Sequence, residues 1–218
     1  MTARQTTEVD RIAEQYVHEM AALDPLSATG QGLPGFDDAM TDYSPEGEQA
    51  RADLVRATLA ALEASTPVDE TDLVTVAAMR DRLGLQLELH EAGEDGACLN
   101  NLASPLQAFR DVLDLMPTDT VDDWQTVASR VGKVPEGVRG YIETLREGAR
   151  RGLSPARRQV AIGVEQAAEL ADPDHSFFVT FAREARAAGT ALPAALASDL
   201  EKAASAAASA YGDLRAFL

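Results

Sequence analysis

The chain has 218 residues, 45% of them apolar and 25% charged, which is enough to bury a core and fits a soluble globular class. Aromatics make up only 5%, so the core must rest on Leu, Val and Ala, a helical recipe that leaves a sheet with little support. A formal net charge of −17 argues against nucleic-acid or membrane partners, which need a segregated basic face.

The spacing of Val9, Ile12, Tyr16, Val17, Met20 and Leu23 predicts a first helix from about Thr7 to Leu23. Its His18-Glu19 pair begins like a metallopeptidase HExxH motif, but position 22 is Ala22, so His18 reads as a surface residue. From Asp24 to Pro45 the Pro, Gly and Asp content predicts one long ordered loop, about residues 24–44, with Leu33, Phe36, Met40 and Tyr43 available to pin it. Its GQGLPG run lacks the strand context of a phosphate loop.

Ser44-Pro45-Glu46 opens a second helix that runs to about Ser65 and is broken by Thr66-Pro67. A third helix, about Asp69 to Ala92, carries Leu73, Val76, Met79, Leu83, Leu85, Leu87 and Leu89. Apolar residues at both helical and alternate spacing predict burial on more than one side. The acids around His90 (Glu88, Glu91, Glu94 and Asp95) lack the register of a calcium loop and read as a solvated turn.

The least generic stretch is Asn100 to Pro117. Ser104 caps a helix that starts on Pro105, and Leu106, Phe109, Val112, Leu113 and Met116 form its apolar body. Asn100, Asn101, Gln107, Arg110, Asp111 and Asp114 surround that body. The stretch is either a buried helix with a polar rim or one wall of a cleft.

Thr120 and Asp123 open the next helix as a capping box. Gly132, Pro135, Gly137 and Gly140 predict a break near Pro135, with the stripe resuming at Val138 and ending near Gly152. Ser154-Pro155 starts a helix to about Ala171, which sets Arg157 and Arg158 in first turns, where the dipole disfavours cations. That placement suggests docking of carboxylates from a substrate or another domain, with ordinary ion pairing as the plainer alternative. Phe177, Phe178 and Phe181 read as core aromatics, and His175 as a turn residue. A last helix runs from near Pro193 to Leu218 and stops mid-pattern, without a glycine cap or polar tail, which predicts a truncation.

Together these elements predict an all-α fold of about eight helices in antiparallel pairs, forming a single helical domain over residues 1–218. The single Cys98 excludes an internal disulfide and lacks a basic neighbour that would make it a nucleophile. There is no GxSxG elbow, and no apolar run has signal-peptide or membrane-spanning length, so the cytoplasm is the expected compartment.

In order along the chain, DPLSATGQG, DDAMTDYSPEG, NNLASPLQAFRDVLDLMPTDTVDDW and LREGARRGLSPARRQV resemble the amino-terminal part of the bacterial domain-of-unknown-function family eight-eight-five. The resemblance spans about Val9 to Leu218. It implies the helical wall of a zincin-peptidase-like channel fold, with zinc bound in complete members by an HExxxGHH-like segment further downstream. His18, His90 and His175 match none of those ligand positions, so no catalytic residue, metal ligand or cofactor is assigned within this chain. The implied function is a non-catalytic region that shapes a peptide-binding cleft. Asn100, Asn101, Gln107, Arg110, Arg157 and Arg158 are the candidate cleft or interdomain contacts. The implied partners are a missing carboxy-terminal catalytic half or a second copy, and an oligopeptide. The alternative is a stand-alone interaction module or homo-oligomer subunit.

Overall fold

Side-chain oxygens at helix starts set most of the boundaries in the computed structural model, which describes residues 4–218. Thr7 and Asp10 form a capping box at the head of α1 (Glu8–Leu23), Ser44 caps α3 (Pro45–Ala64), and Asp69 caps α4 (Glu70–Ala92). A 3-10 turn, Glu94–Ala97, leads to α5 (Pro105–Asp111), which tightens into a second 3-10 turn, Val112–Leu115. Then come α6 (Val121–Arg150), α7 (Arg157–Leu170), α8 (Phe177–Glu184) and α9 (Ala194–Phe217). The fold is all-α. Its only strands among the described residues are two-residue segments, β1 (Arg186–Ala187) and β2 (Thr190–Ala191), paired antiparallel.

The structure departs from the sequence expectations in five places, the last of them in α4. The loop after α1 contains a six-residue helix, α2 (Pro25–Gly30), because Asp24 accepts from the Ser27 N–H and Pro25 occupies the first helical position. The helix after Ala156 starts at Arg157 rather than Pro155. α8 adds a short helix where only core aromatics were expected.

The fourth departure concerns α6, which runs unbroken through Pro135. Its glycines are sites of close packing rather than breaks. A Cβ on Gly137 would lie 2.6 Å from the Phe109 ring, and one on Gly148 would lie 2.1 Å from the Gly96 carbonyl oxygen. Burial of this helix against its neighbours outweighs the local cost of one proline and several glycines.

The main core lies between α6 and α9. Val127, Val131, Val134, Val138, Tyr141 and Leu145 meet Leu200, Ala204, Ala207, Tyr211 and Leu214, with Leu106 and Phe109 from α5 and Phe178 from α8. A second, smaller cluster of Val9, Leu62 and Val76 joins α1, α3 and α4. α4 is an edge helix, not one buried on more than one side. Val76 and Leu83 are buried, whereas Val74 and Leu85 on the opposite face are 68% and 51% exposed.

The 24–44 segment is fixed by Arg130 of α6, whose side chain is fully buried. Its Nε donates to the Ala39 carbonyl (2.9 Å), Nη1 to Thr29 Oγ1 (2.8 Å), and Nη2 to the Phe36 (2.7 Å) and Pro25 (3.4 Å) carbonyls. Thr29 in turn donates to Asp37. Burial pulls the guanidinium below its ordinary value, and Asp37 and Asp38 oppose that shift. Replacing Arg130 with Met strands these acceptors, and a loss of roughly 3–5 kcal/mol in urea unfolding is expected. Arg130→Lys, lacking the planar fork, recovers only a minor part of that loss.

Candidate functional site

The Asn100–Pro117 stretch forms one wall of a cleft of about 460 Å³. Leu102, Ala103, Ser104, Pro105, Gln107, Ala108 and Asp111 line this side, together with Cys98 and Asp95. The opposite wall is Tyr43 with Glu48 and Arg51 of α3, and the floor is Tyr141 and Thr144 of α6. Three hydrogen bonds set the walls on the floor and on α9. Tyr141 Oη donates to the Cys98 carbonyl (2.6 Å), Thr144 Oγ1 to the Tyr43 carbonyl (2.7 Å), and Tyr211 Oη of α9 to the Leu106 carbonyl (2.6 Å). Burial pushes the hydroxyl pKa of all three tyrosines on these elements upward, so Tyr43, Tyr141 and Tyr211 stay neutral at any physiological pH.

The stretch is a half-buried helix with a polar rim, part of which lines the cleft. Asn100 organises the turn. Its Oδ1 accepts from the Leu102 and Ala103 N–H groups, and its Nδ2 donates to the Ala103 carbonyl. Gln107 closes the capping box, its Oε1 accepting from Ser104 N (2.9 Å) and Ser104 Oγ (2.7 Å). Its Nε2 reaches Gln166 Oε1 of α7 (2.8 Å). Asn101 joins the same helix, its N–H donating to Gln159 Oε1 (2.8 Å) and its carbonyl accepting from Gln166. Of the six candidate contacts, Gln107 alone lines the cleft.

Arg110 lies elsewhere. Its guanidinium sits 4.3 Å above the Phe177 ring and pairs with Asp111 and Asp114, which clamps α5 to α8. Phe177 itself stacks on Phe181, and Phe178 is the fully buried member of the trio. Arg157 and Arg158 are exposed at the start of α7, make no ion pair among the described residues, and do not line the cleft.

Of the cleft residues, the sequence marks Tyr43 only as a loop anchor and Tyr141 only as part of an apolar stripe, and it does not single out Glu48 or Arg51. Arg51 looks like any surface arginine of an acidic helix, yet it is only 7% exposed. Its Nη1 donates to the Asp42 (2.8 Å) and Leu23 (3.3 Å) carbonyls. Glu48 Oε1 lies 2.8 Å from Arg51 Nη2, but no aligned hydrogen bond forms, and Nη2 is the one buried side-chain polar atom among the described residues without a hydrogen-bond partner. Burial lifts the Glu48 carboxyl above its ordinary range, and Arg51 draws it back. Beyond Glu48, His90 Nδ1 contacts Asp95 Oδ2 at 2.6 Å, one pair within a turn that is otherwise solvated, since Glu88, Glu91 and Glu94 are exposed. The Cys98 thiol is pushed up by desolvation first, then by Glu48, Asp95 and Glu94, which keeps it a poor nucleophile.

The donor set does not fit a zinc ion. His18 packs edge-on against Phe36, His90 is engaged by Asp95, and His175 is exposed beside Asp172. No group of three or more His, Cys, Asp or Glu among the described residues is arranged to hold a metal. No helix there is long and apolar enough to cross a membrane.

Residues 25–218 match the family described as "Bacterial protein of unknown function (DUF885)". No curated protein matches the chain. Among solved structures, the chain is similar to the "putative lipoprotein from Colwellia psychrerythraea", with a TM-score of 0.73 and 17% identity. The match covers 97% of this chain and 41% of that one, so the chain spans well under half the length of the neighbour. At this identity the likeness shows a shared fold.

The raised Glu48 carboxyl gives a signed expectation. A carboxyl that holds its proton more tightly folded than unfolded contributes stability below its unfolded value, and that contribution is lost as pH rises through the folded value. Glu48→Gln, neutral throughout, is therefore expected to match the parent near pH 4 and to unfold at higher urea near pH 7.5, measured as paired denaturation midpoints.

Proposed function

We propose, from the premise that the chain belongs to the bacterial family of unknown function DUF885, that it is the non-catalytic helical region of a longer zinc-peptidase-like protein and that its cleft holds oligopeptide. The observation that carries this reading is the cleft under α5, which is lined by an apolar edge (Leu102, Pro105 and Ala108) and by a polar group of half-buried Tyr43 and Glu48 with buried Arg51. An extended peptide presents that combination of alternating side chains and polar backbone.

The neighbour's greater length supports a role as part of a larger body. The chain's own histidines do not converge, so the proposal assigns it positioning of peptide and exclusion of water, and routes no chemical step through it. Any zinc is assigned to residues outside this chain. The proposal keeps the cytoplasm as compartment, and the net charge of −17 supports the absence of a nucleic-acid or anionic-membrane partner.

A second reading, a module that pairs with a second copy, is favoured by α4. Val74, Leu85 and Leu89 share a solvent-facing stripe opposite the residues that pack on α1 and α3.

Two measurements test these readings. Titrating tetra-alanine into the isotopically labelled chain is expected to shift the amide signals of Leu102 to Ala108 and Thr144, with no zinc-dependent hydrolysis. Turnover by these 218 residues with zinc would overturn the assignment of catalysis elsewhere, and unchanged amide signals at millimolar peptide would remove the cleft reading. For the second reading, sedimentation velocity should show a concentration-dependent dimer that Leu85→Glu with Leu89→Glu abolishes. A monomer at every concentration rejects it.

A further inference from the structure

Arg51 is held in an unusual state for a buried guanidinium. Its side chain is more than nine-tenths buried, its Nη1 is spent on two backbone carbonyls, and its Nη2 is held only by an ion pair with Glu48 at 2.8 Å that is off the hydrogen-bond axis. Glu48 approaches from three residues earlier on the same helix. Its partly buried carboxylate supplies the counter-charge from an off-axis position. A charged, planar donor left short of an acceptor favours any carboxylate that reaches it in plane.

The surroundings define which carboxylate fits. The other acids that line the cleft are already engaged, Asp95 by His90 and Asp111 by Arg110. The same cleft is also lined by apolar residues, Leu102, which is 80% exposed, with Ala103, Pro105 and Ala108. Two further hollows, one between the 39–46 segment and α6 and one beside α1, contain no such unpaired atom.

We propose that the Glu48–Arg51 end of the cleft is a subsite for the terminal carboxylate of a short peptide, which displaces the Glu48 carboxylate and takes the Nη2 hydrogen bond that Glu48 leaves unmade. The side chain of the peptide's last residue then lies against Leu102, Pro105 and Ala108, which selects an apolar residue at that position. Glu48 is a placeholder: it neutralises Arg51 when the cleft is empty and gives way when a better-aligned acceptor arrives. This inference rests on the peptide-cleft reading and adds a direction to it, with the carboxy terminus inward.

The test uses the full 218-residue chain and two probes, N-acetyl-Ala-Ala-Leu as the free acid and as the carboxamide, titrated calorimetrically at pH 7.5. The acid is expected to bind about ten-fold more tightly than the amide, as a charge-assisted bond to Arg warrants. Glu48→Gln, which removes the competing charge, is expected to tighten the acid several-fold and leave the amide unchanged. Arg51→Lys should erase the preference between the two probes, with circular dichroism verifying the fold. Because Arg51 also holds the Leu23 and Asp42 carbonyls, Glu48→Gln is the decisive variant if that one unfolds. Equal binding of acid and amide overturns the carboxylate subsite while the peptide cleft stands, and so does weaker acid binding by Glu48→Gln. Binding of neither probe overturns both.

Discussion

A single guanidinium, Arg130, sets the order of construction in this protein. Its donors are pointed at carbonyls and a hydroxyl of a segment about a hundred residues earlier in the chain. Removing a full charge from water is costly unless every donor is met, and here backbone acceptors meet it rather than a carboxylate. The segment from Pro25 to Ala39 is thereby held on α6, and the next residues follow from that anchoring. Thr41 accepts from the Leu26 N–H and donates to Asp24, and Asp42 offers its carbonyl to Arg51. Tyr43 then lands edge-on between Phe109 and Tyr141. One wall of the cleft is therefore a consequence of a buried charge that never touches the cleft.

The other wall depends on absent side chains. Gly137 lets the Phe109 ring lie on α6, and the Gly96–Gly148 contact brings the turn before Cys98 against the same helix. A β-carbon at either place would push α5 and its leading turn away from the floor, and Tyr141 would lose reach to the Cys98 carbonyl. The glycines thus govern cleft width through backbone approach. The polar ladder of Asn101, Gln107, Gln159 and Gln166 finishes the wall by tying it to α7.

The two arginines illustrate different uses of one side chain. Arg130 has a hydrogen-bond partner at every guanidinium nitrogen and holds the fold, whereas Arg51 Nη2 has only the off-axis Glu48 contact and the residue lines a concave surface. Buried polar groups are normally paired with good alignment, and the off-axis Glu48–Arg51 contact is the exception to that rule beside the cleft.

Much of the architecture was legible in the sequence. The caps at Ser44, Ser104 and Thr120 fix helix starts because short side-chain oxygens satisfy N–H groups that the helix cannot. The 3.6-residue stripes fix which faces are apolar. The same local logic misjudged Pro135 and the α6 glycines, since a propensity of about 1 kcal/mol per residue is small beside the burial of a thirty-residue helix. It also treated both apolar faces of α4 as buried, because a pattern records which faces are apolar and not whether a partner covers them.

For the site, the sequence by itself marked the Asn100–Pro117 stretch as exceptional, and Gln107 within it does line the cleft. Arg110 drew attention for the same reason and is a clamp on Phe177. Only the tertiary structure brought Glu48 and Arg51 to face that stretch across roughly fifty residues of chain, and only it showed which arginine donors were met and which were left over. Periodicity and capping are properties of neighbours in sequence. The satisfaction of a buried charge depends on groups that come together only when distant segments pack.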